Sequence, residues 1–160
     1  MALEMMSQHM ATGFSVRPVL ESKGNKVWSI APDAMVFDAI KLMAEKSVGA
    51  LLVMAGDGQQ PAGIVSERDY ARKVILQGRS SKETPVSEIM SSPVIFVTPD
   101  YTVDQCFLLM TEHRIRHLPV MDGGQLVGVL SIGDLVRATV AAQKETIDQL
   151  THFILGKYPA

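Results

Sequence analysis

The stretch GIVSERD at residues 63–69 returns as GVLSIGD at residues 128–134. In both, a glycine opens an apolar pair, a serine follows, and an aspartate stands three residues after the serine. The correspondence extends upstream, where PDAMVFDAIKLMAEKSVGALLVM (32–54) and PDYTVDQCFLLMTEHRIRHLPVM (99–121) agree at Pro, Asp, Val, Leu, Met, Glu, Leu, Val and Met. Two copies of one unit predict a pseudo-twofold structure with paired clefts where the copies meet.

The composition is that of a globular protein. The chain has 160 residues, of which 47% are apolar and 20% charged. A repeat of roughly fifty residues is marginal when it folds alone, so the copies are expected to share a core. No apolar run is long enough to span a membrane, and the opening MALEMMSQHMATGF lacks the basic start and apolar run of a secretory signal. We therefore expect a cytoplasmic protein without a membrane partner.

Charge and ligand spacing argue against two classes of partner. The net charge is −2 and the basic residues are scattered, so nucleic acid is not expected as a partner. The four histidines lack the spacing of a zinc site and only one cysteine is present, so no metal is expected. That cysteine, Cys106, shares an apolar helical stripe with Val103, Phe107 and Met110, which predicts a place in the core.

Hydrophobic spacing predicts the order β, α, β, β, α in each copy, and hence a mixed α/β (α+β) class. In the first copy we expect a strand around Trp28 and a helix that starts at Pro32 with Asp33 as its N-cap. Strands at 50–54 and 62–65 flank a turn at Asp57 and Gly58, and a second helix runs from Ser66 to Gly78. In the second copy the corresponding elements are strand 94–97, helix 103–112, strands 117–121 and 126–130, and one or two helices from Ile132 to about Leu155.

These elements suggest five regions. An arm with a short helix occupies 1–25, the first repeat 26–78, a linker with a helical turn 79–93, the second repeat 94–142, and a C-terminal helix and tail 143–160. The last helix carries an apolar face beyond the repeat. This face either packs on its own module or forms a subunit interface, and it consists of Val136, Val140, Ile147, Leu150 and Ile154.

The Ser and Asp of each copy admit two interpretations. A carboxylate such as Asp69 or Asp134 can accept hydrogen bonds from both hydroxyls of a ribose, and Ser66 or Ser131 at a helix start can meet a phosphate. The same spacing is also that of a capping box, which needs no ligand. The glycine before each apolar pair is equally consistent with relief of crowding in the strand.

The segments HRIRHLPVMDGGQLVGVLSIGDLV and GALLVM with GIVSERDYA resemble cystathionine-beta-synthase (CBS) domains over roughly Lys26 to Ala142. The pair is similar to a Bateman module. The resemblance implies two domains packed about a pseudo-twofold axis, clefts that bind AMP, ADP, ATP, NAD or S-adenosylmethionine, and a flat homodimer formed through helices. It also implies that the serine contacts phosphate and the aspartate holds the ribose.

Basic residues differ between the copies. Arg68 lies in the first turn of its predicted helix, where a cation suits a nearby anion better than the helix dipole, and Gly133 replaces it in the second copy. Arg116 and His117 precede the second hairpin, where the resemblance implies phosphate contacts, whereas the first copy has Gly49 and Ala50. A solvated charged rim is the alternative for Arg116. Unequal phosphate affinity in the two clefts is therefore expected.

The family analogy also supplies an adenine slot. It pairs the ribose aspartate of one copy with the first helix of the other, and backbone groups near Ile30 and Val97 would contact the adenine edge. The cleft of Asp134 would be lined by Ala34, Ala39 and Ala62, and the cleft of Asp69 by Tyr101, Cys106 and Val127.

Three functions follow as hypotheses. The first is a stand-alone regulatory sensor of adenine nucleotides. The second is an enzyme. The sequence shows no nucleophile paired with a base, no carboxylate pair with a raised pKa and no metal site, so no catalysis is expected. The third is a structural or dimerisation module whose capping boxes never meet a nucleotide.

Overall fold

Hydrophobic periodicity places the helices and strands close to their predicted positions. The computed structural model describes residues 13–24, 26–56 and 60–156. Its elements in chain order are α1 (Arg17–Lys23), β1 (Ser29–Ile30), α2 (Val36–Lys46), β2 (Ala50–Met54), β3 (Pro61–Ser66), α3 (Glu67–Tyr70), α4 (Val103–His113), β4 (His117–Asp122), β5 (Gln125–Ser131) and α5 (Ile132–Ile154). A π-helical segment, Ala71–Ile75, continues α3, and Val86–Glu88 is a 3₁₀ turn. The turn predicted at Asp57 and Gly58 and the arm up to residue 12 lie outside the described residues.

The first repeat forms a three-stranded sheet in the order β1, β2, β3. β1 runs parallel to β2, and β2 runs antiparallel to β3 with Leu52 opposite Ile64. The central strand β2 is a continuous apolar run because both its faces are covered. Its Leu51 and Val53 pack with Val36, Ala39 and Met43 of α2 in a buried cluster.

The predicted N-cap of α2 was wrong. The cap is Met35, and Asp33 lies before it in a turn. The linker does the capping instead: the Val36 N–H donates to the Thr84 carbonyl and the Phe37 N–H to the Ser81 carbonyl, each at 2.9 Å. Because backbone carbonyls from a distant segment satisfy the free helix N–H groups, no capping side chain is needed.

The leading strand of the second copy was also predicted wrongly. In residues 94–97 only Val97 has a bridge, and the described sheet there is the two-stranded pair β4 and β5. Pro93 and Pro99 flank this segment, and proline offers no N–H donor to a sheet. The second helix of the first copy is confirmed, although it changes from α to π geometry at Ala71.

Contacts divide the described residues into two units, and α1 joins the second repeat in one of them. That unit contains the described residues up to Gly24, residues 97–118 and the described residues from Leu130 onward; the other unit contains the described residues between 25 and 96, with 119–129. The Val16 N–H donates to the Tyr101 carbonyl at 2.9 Å, and Arg17 forms an ion pair with Asp100 at 3.1 Å. These bonds fix α1 beside the start of α4.

A single helix, α5, closes the second repeat. It spans 23 residues, so one of the two arrangements predicted for this segment is confirmed. Leu135 is its buried residue, and α1 and α4 are in contact with it. Among the helices that the structure describes, none has the length and apolar character needed to cross a membrane.

Candidate functional site

Both predicted Ser–Asp pairs form complete capping boxes. Asp69 Oδ2 accepts from the Ser66 backbone N–H at 3.0 Å, and Ser66 Oγ accepts from the Asp69 N–H at 3.2 Å. The second pair repeats this geometry, with Ser131 N–H to Asp134 Oδ2 at 2.8 Å and Asp134 N–H to Ser131 Oγ at 3.1 Å. The capping role considered from the spacing is therefore real at both sites. Each aspartate is fixed at the first turn of its helix.

A third capping box provides an internal comparison. Thr102 caps α4, and Gln105 supplies the side chain that accepts from the Thr102 N–H at 2.9 Å. This box has a neutral amide where the other two have a carboxylate. Capping alone therefore does not require the charge of Asp69 or Asp134.

Each aspartate carries a cation that capping does not require. Lys73 Nζ lies 3.1 Å from Asp69 Oδ1 and also donates to the Ile89 carbonyl at 2.9 Å. At the second site Lys23 Nζ lies 2.7 Å from Asp134 Oδ2, and Arg137 Nη2 lies 2.7 Å from Oδ1. The Asp134 side chain is only 9% exposed. Each oxygen of the Asp134 carboxylate is thus paired with a cation.

Burial and hydrogen bonding act in opposite directions on Asp134. Burial alone would raise the pKa of its carboxyl group, but hydrogen bonds from Lys23 and from the Ser131 backbone and side chain outweigh burial. The pKa therefore lies below the ordinary 3.8. The carboxylate is ionised at neutral pH and can accept hydrogen bonds from a ligand hydroxyl.

The two copies share a backbone hydrogen bond that places different residues at the helix start. The Glu67 N–H donates to the Gly49 carbonyl at 3.1 Å, and in the second copy the Ile132 N–H donates to the Arg116 carbonyl at 2.8 Å. Gly49 and Arg116 are therefore structurally equivalent, as the sequence comparison predicted. The second copy has an exposed arginine side chain beside a helix N-terminus, and the first copy has none there.

His117 lies in the same group of charges. Burial chiefly lowers the pKa of its imidazole, the charges of Lys23 and Arg116 lower it further, and the charge of Asp134 opposes them. The pKa lies below the ordinary 6.5, so the ring is neutral at neutral pH. The cations of this site are then Lys23, Arg116 and Arg137. We call these three residues, together with His117, the basic cluster.

The basic residues of the first turn also differ between the copies. Arg68 is half-buried in the first turn of α3. In the second copy its position is Gly133, and a Cβ there would lie 3.3 Å from Arg137 Nη1. The absence of a side chain at Gly133 leaves room for the Arg137 guanidinium. The second site thus keeps a cation near its first turn, contributed by a different position.

The residues predicted to form the adenine slot differ in how far they are buried. Ala39, Val97 and Cys106 are fully buried, and burial raises the pKa of the Cys106 thiol to about 11. The others are half-buried: Ile30, Ala34, Ala62, Tyr101 and Val127. The pairing of each aspartate with apolar residues of the other copy remains a prediction.

Sequence reasoning missed three of the cations. Arg137 and Lys73 stand three and four residues after their aspartates. This spacing brings side chains together on one face of a helix, so both ion pairs could have been predicted from the sequence. Lys23 had no such signal, because it is 111 residues from Asp134 in the chain. Within the residues the structure describes, no three His, Cys, Asp or Glu side chains form a group suited to a metal ion.

Comparison with known proteins gives two matches to one family. The CBS domain family matches residues 24–75 and 86–141. The chain is 43% identical over 152 residues to "CBS domain-containing protein CBSX3, mitochondrial" of Arabidopsis thaliana, covering 90% of this chain and 73% of that protein. It is 33% identical over 117 residues to CBS domain-containing protein YhcV of Bacillus subtilis, covering 73% of this chain and 81% of the relative.

Solved structures agree with these matches. A protein with CBS domains from Burkholderia ambifaria MC40-6 has a TM-score of 0.77 at 54% identity, covering 81% of this chain and 96% of its own. A hexameric CBS-CP12 protein from bloom-forming cyanobacteria has a TM-score of 0.69 at 35% identity, covering 77% of this chain and 69% of its own. The predicted α+β class is confirmed. This chain belongs to the CBS domain family and contains two CBS domains, which are generally regulatory modules.

Proposed function

We propose that this chain is a regulatory sensor of adenine nucleotides with no catalytic activity of its own. The observation that carries the proposal is the second site, where an ionised Asp134 with little exposed surface is fixed by Ser131 and lies within the basic cluster. A fixed carboxylate suits the two hydroxyls of a ribose, and hydrogen bonds to a charged acceptor contribute roughly 1.5–3 kcal/mol. The surrounding cations suit a phosphate.

Ligand binding at Asp134 requires a rearrangement. Two cations contact its oxygens and little of its surface is exposed, so a ribose hydroxyl replaces at least one of them. Arg137 is 73% exposed and can turn toward solvent or toward a phosphate. Lys23 is the last residue of α1, so displacing its side chain from Asp134 removes a contact that ties α1 to the start of α5.

The first site is proposed to bind the same class of ligand with fewer phosphate contacts. Asp69 and Ser66 repeat the carboxylate and hydroxyl, and Arg68 and Lys73 are the nearby cations. Gly49 leaves this site without the counterpart of Arg116. We expect a monophosphate to suit the first site and a longer phosphate chain, such as that of ADP, ATP or NAD, to suit the second.

The proposed signal is a change in the arrangement of the two domains, which a second subunit or another protein detects. A homodimer is proposed as the working form, and oligomers occur among the structural relatives, one of which is hexameric. The proposed location is the cytoplasm. The plant relative is named as mitochondrial, so fractionation with a compartment marker is the test of this part.

A ligand-independent structural module is the second candidate. The observation in its favour is that both capping boxes are complete without a ligand. A thermal-shift panel of AMP, ADP, ATP, NAD and S-adenosylmethionine separates the two. A ligand at 100 times its dissociation constant stabilises the fold by roughly 2.7 kcal/mol, so the sensor predicts a clear shift with at least one compound. No shift with any compound supports the structural module.

A further inference from the structure

The C-terminal part of α5 is exposed on all sides in the single chain. Every described residue from Gln143 to Gly156 is exposed, whereas the helix is buried or half-buried at Leu135, Ala138 and Thr139. A helix with no packing partner is marginal in water, because most helical stability comes from tertiary burial of an apolar face. The exposed part therefore requires a partner to cover it.

Five of the exposed apolar residues of α5, together with Gln143, follow a heptad pattern, and Ile132 and Phe153 lie beside it. They alternate in steps of four and three residues, as the a and d positions of a coiled coil do. In chain order this seam consists of Val136, Val140, Gln143, Ile147, Leu150 and Ile154. Its apolar members are 47%, 56%, 61%, 56% and 79% exposed. We call these six residues the α5 seam.

The residue types in the α5 seam favour pairing with one similar helix. The a positions are Val140, Ile147 and Ile154, all β-branched, and Leu150 is at a d position. β-branched residues at a with leucine at d favour two-stranded coiled coils. Gln143, at a d position, is the polar member of the seam.

The charges beside the seam are compatible with an identical partner. No charged residue lies in the α5 seam itself, and the two charged residues at the flanking e and g positions, Arg137 and Lys144, are both at e. In a parallel pair each of these e positions faces a g position of the second copy, and the residues there are the neutral Ile132 and Thr139. A second copy is therefore not repelled. The pattern also needs a helix with its own apolar a and d positions, and α5 is the described helix that has them exposed.

We propose that the α5 seam pairs with the α5 seam of a second copy of this chain. This interface lies mainly beyond residue 141, where the second match to the CBS domain family ends. It is thus an addition to the family module. The proposal deepens the homodimer under the proposed function by naming its surface, and it does not depend on nucleotide binding.

The test compares full-length variants by light scattering after size-exclusion chromatography, over a range of concentrations. The seam variant carries Ile147→Asp and Leu150→Asp, which place charges in the interface. The matched control carries Gln149→Asp and His152→Asp, which add the same side chains to the opposite face of α5. Circular dichroism on the same samples reports helix content.

The wild type and the control are expected to be dimers with equal helix content. The seam variant is expected to dissociate at about 100-fold higher concentration or more, because each buried unpaired charge costs at least a factor of ten, and to lose helix signal. A seam variant that stays dimeric with full helix content overturns this interface and leaves the homodimer standing. A monomeric wild type overturns both.

Discussion

Lys23 Nζ lies 2.7 Å from Oδ2 of Asp134, although 111 positions separate the two residues in the chain. The contact joins α1 to the first turn of α5. Lys23 stands just before residue 24, where the first match to the CBS domain family begins. A residue outside the family module therefore occupies the carboxylate that we propose for ribose binding.

We predict that Lys23→Met strengthens binding of adenosine at the second site. Adenosine lacks a phosphate, so Lys23 offers it no compensating contact and only competes for Asp134. The gain is expected to reach about fivefold, equivalent to the ~1 kcal/mol upper value of a partly exposed ion pair. Calorimetry in an Asp69→Asn background isolates the second site.

The matched control for this prediction is Arg17→Met. Arg17 is also on α1 and forms an ion pair with Asp100 rather than with Asp134. It should leave adenosine affinity unchanged. If Lys23→Met weakens adenosine binding instead, the ammonium group assists the ligand, and the competition that we describe does not exist.

Acid should destabilise the fold in two steps. The folded-state pKa values of His117 and Asp134 are both lowered, so the unfolded chain binds more protons as the pH falls. The contribution of His117 begins to be lost below its ordinary value of 6.5, and that of Asp134 below 3.8. Urea unfolding across this range measures the loss. His117→Gln should remove the upper step and Asp134→Asn the lower one; unchanged pH profiles in both variants would contradict the assigned causes.

Gly63→Ala should reduce stability by about 1–3 kcal/mol, the usual cost of overpacking a core. An added Cβ would lie 2.6 Å from Met90 Sδ and 3.0 Å from the Ser91 carbonyl oxygen. That oxygen accepts from the Ile64 N–H at 3.1 Å, so it cannot move away without a broken hydrogen bond. Gly13→Ala is the matched control, because nothing lies within 4 Å of its Cβ. Equal unfolding midpoints for the two variants would show that Gly63 is not crowded.

Cys106 should be unreactive toward Ellman's reagent in the folded protein. Its thiol is fully buried, and burial raises its pKa from 9.0 to about 11. At the pH at which a free cysteine reacts, very little of the Cys106 thiol is therefore ionised to the reactive thiolate. One equivalent should react after unfolding in guanidinium, since the chain has a single cysteine. Rapid stoichiometric labelling of the folded protein would place Cys106 at an accessible surface instead.

The sequence was most informative where structure is local. The two hairpins, α2, α4 and the Ser–Asp boxes follow from apolar spacing and capping chemistry within a few residues. Arg116 against Gly49 was visible as a difference between aligned copies, and the shared backbone hydrogen bond supports it.

Sequence reasoning failed where a distant segment decides the local structure. Asp33 looked like the N-cap of α2, but carbonyls of Ser81 and Thr84 satisfy the helix start. Lys23 lies in the N-terminal region predicted as an arm with a short helix, and nothing in its local pattern indicates a contact with Asp134. Such long-range pairings depend on tertiary packing, which periodicity does not record.

The central claim is that each CBS domain contributes one aspartate to a nucleotide site. The most direct measurement is calorimetric titration of the nucleotide that gives the largest thermal shift into the wild type, Asp69→Asn, Asp134→Asn and Gln105→Ala. Gln105→Ala is the control because it disrupts the third capping box only. We predict two binding events for the wild type and the control, and one for each aspartate variant. Unchanged binding in both aspartate variants, or no binding by the wild type, would contradict the account.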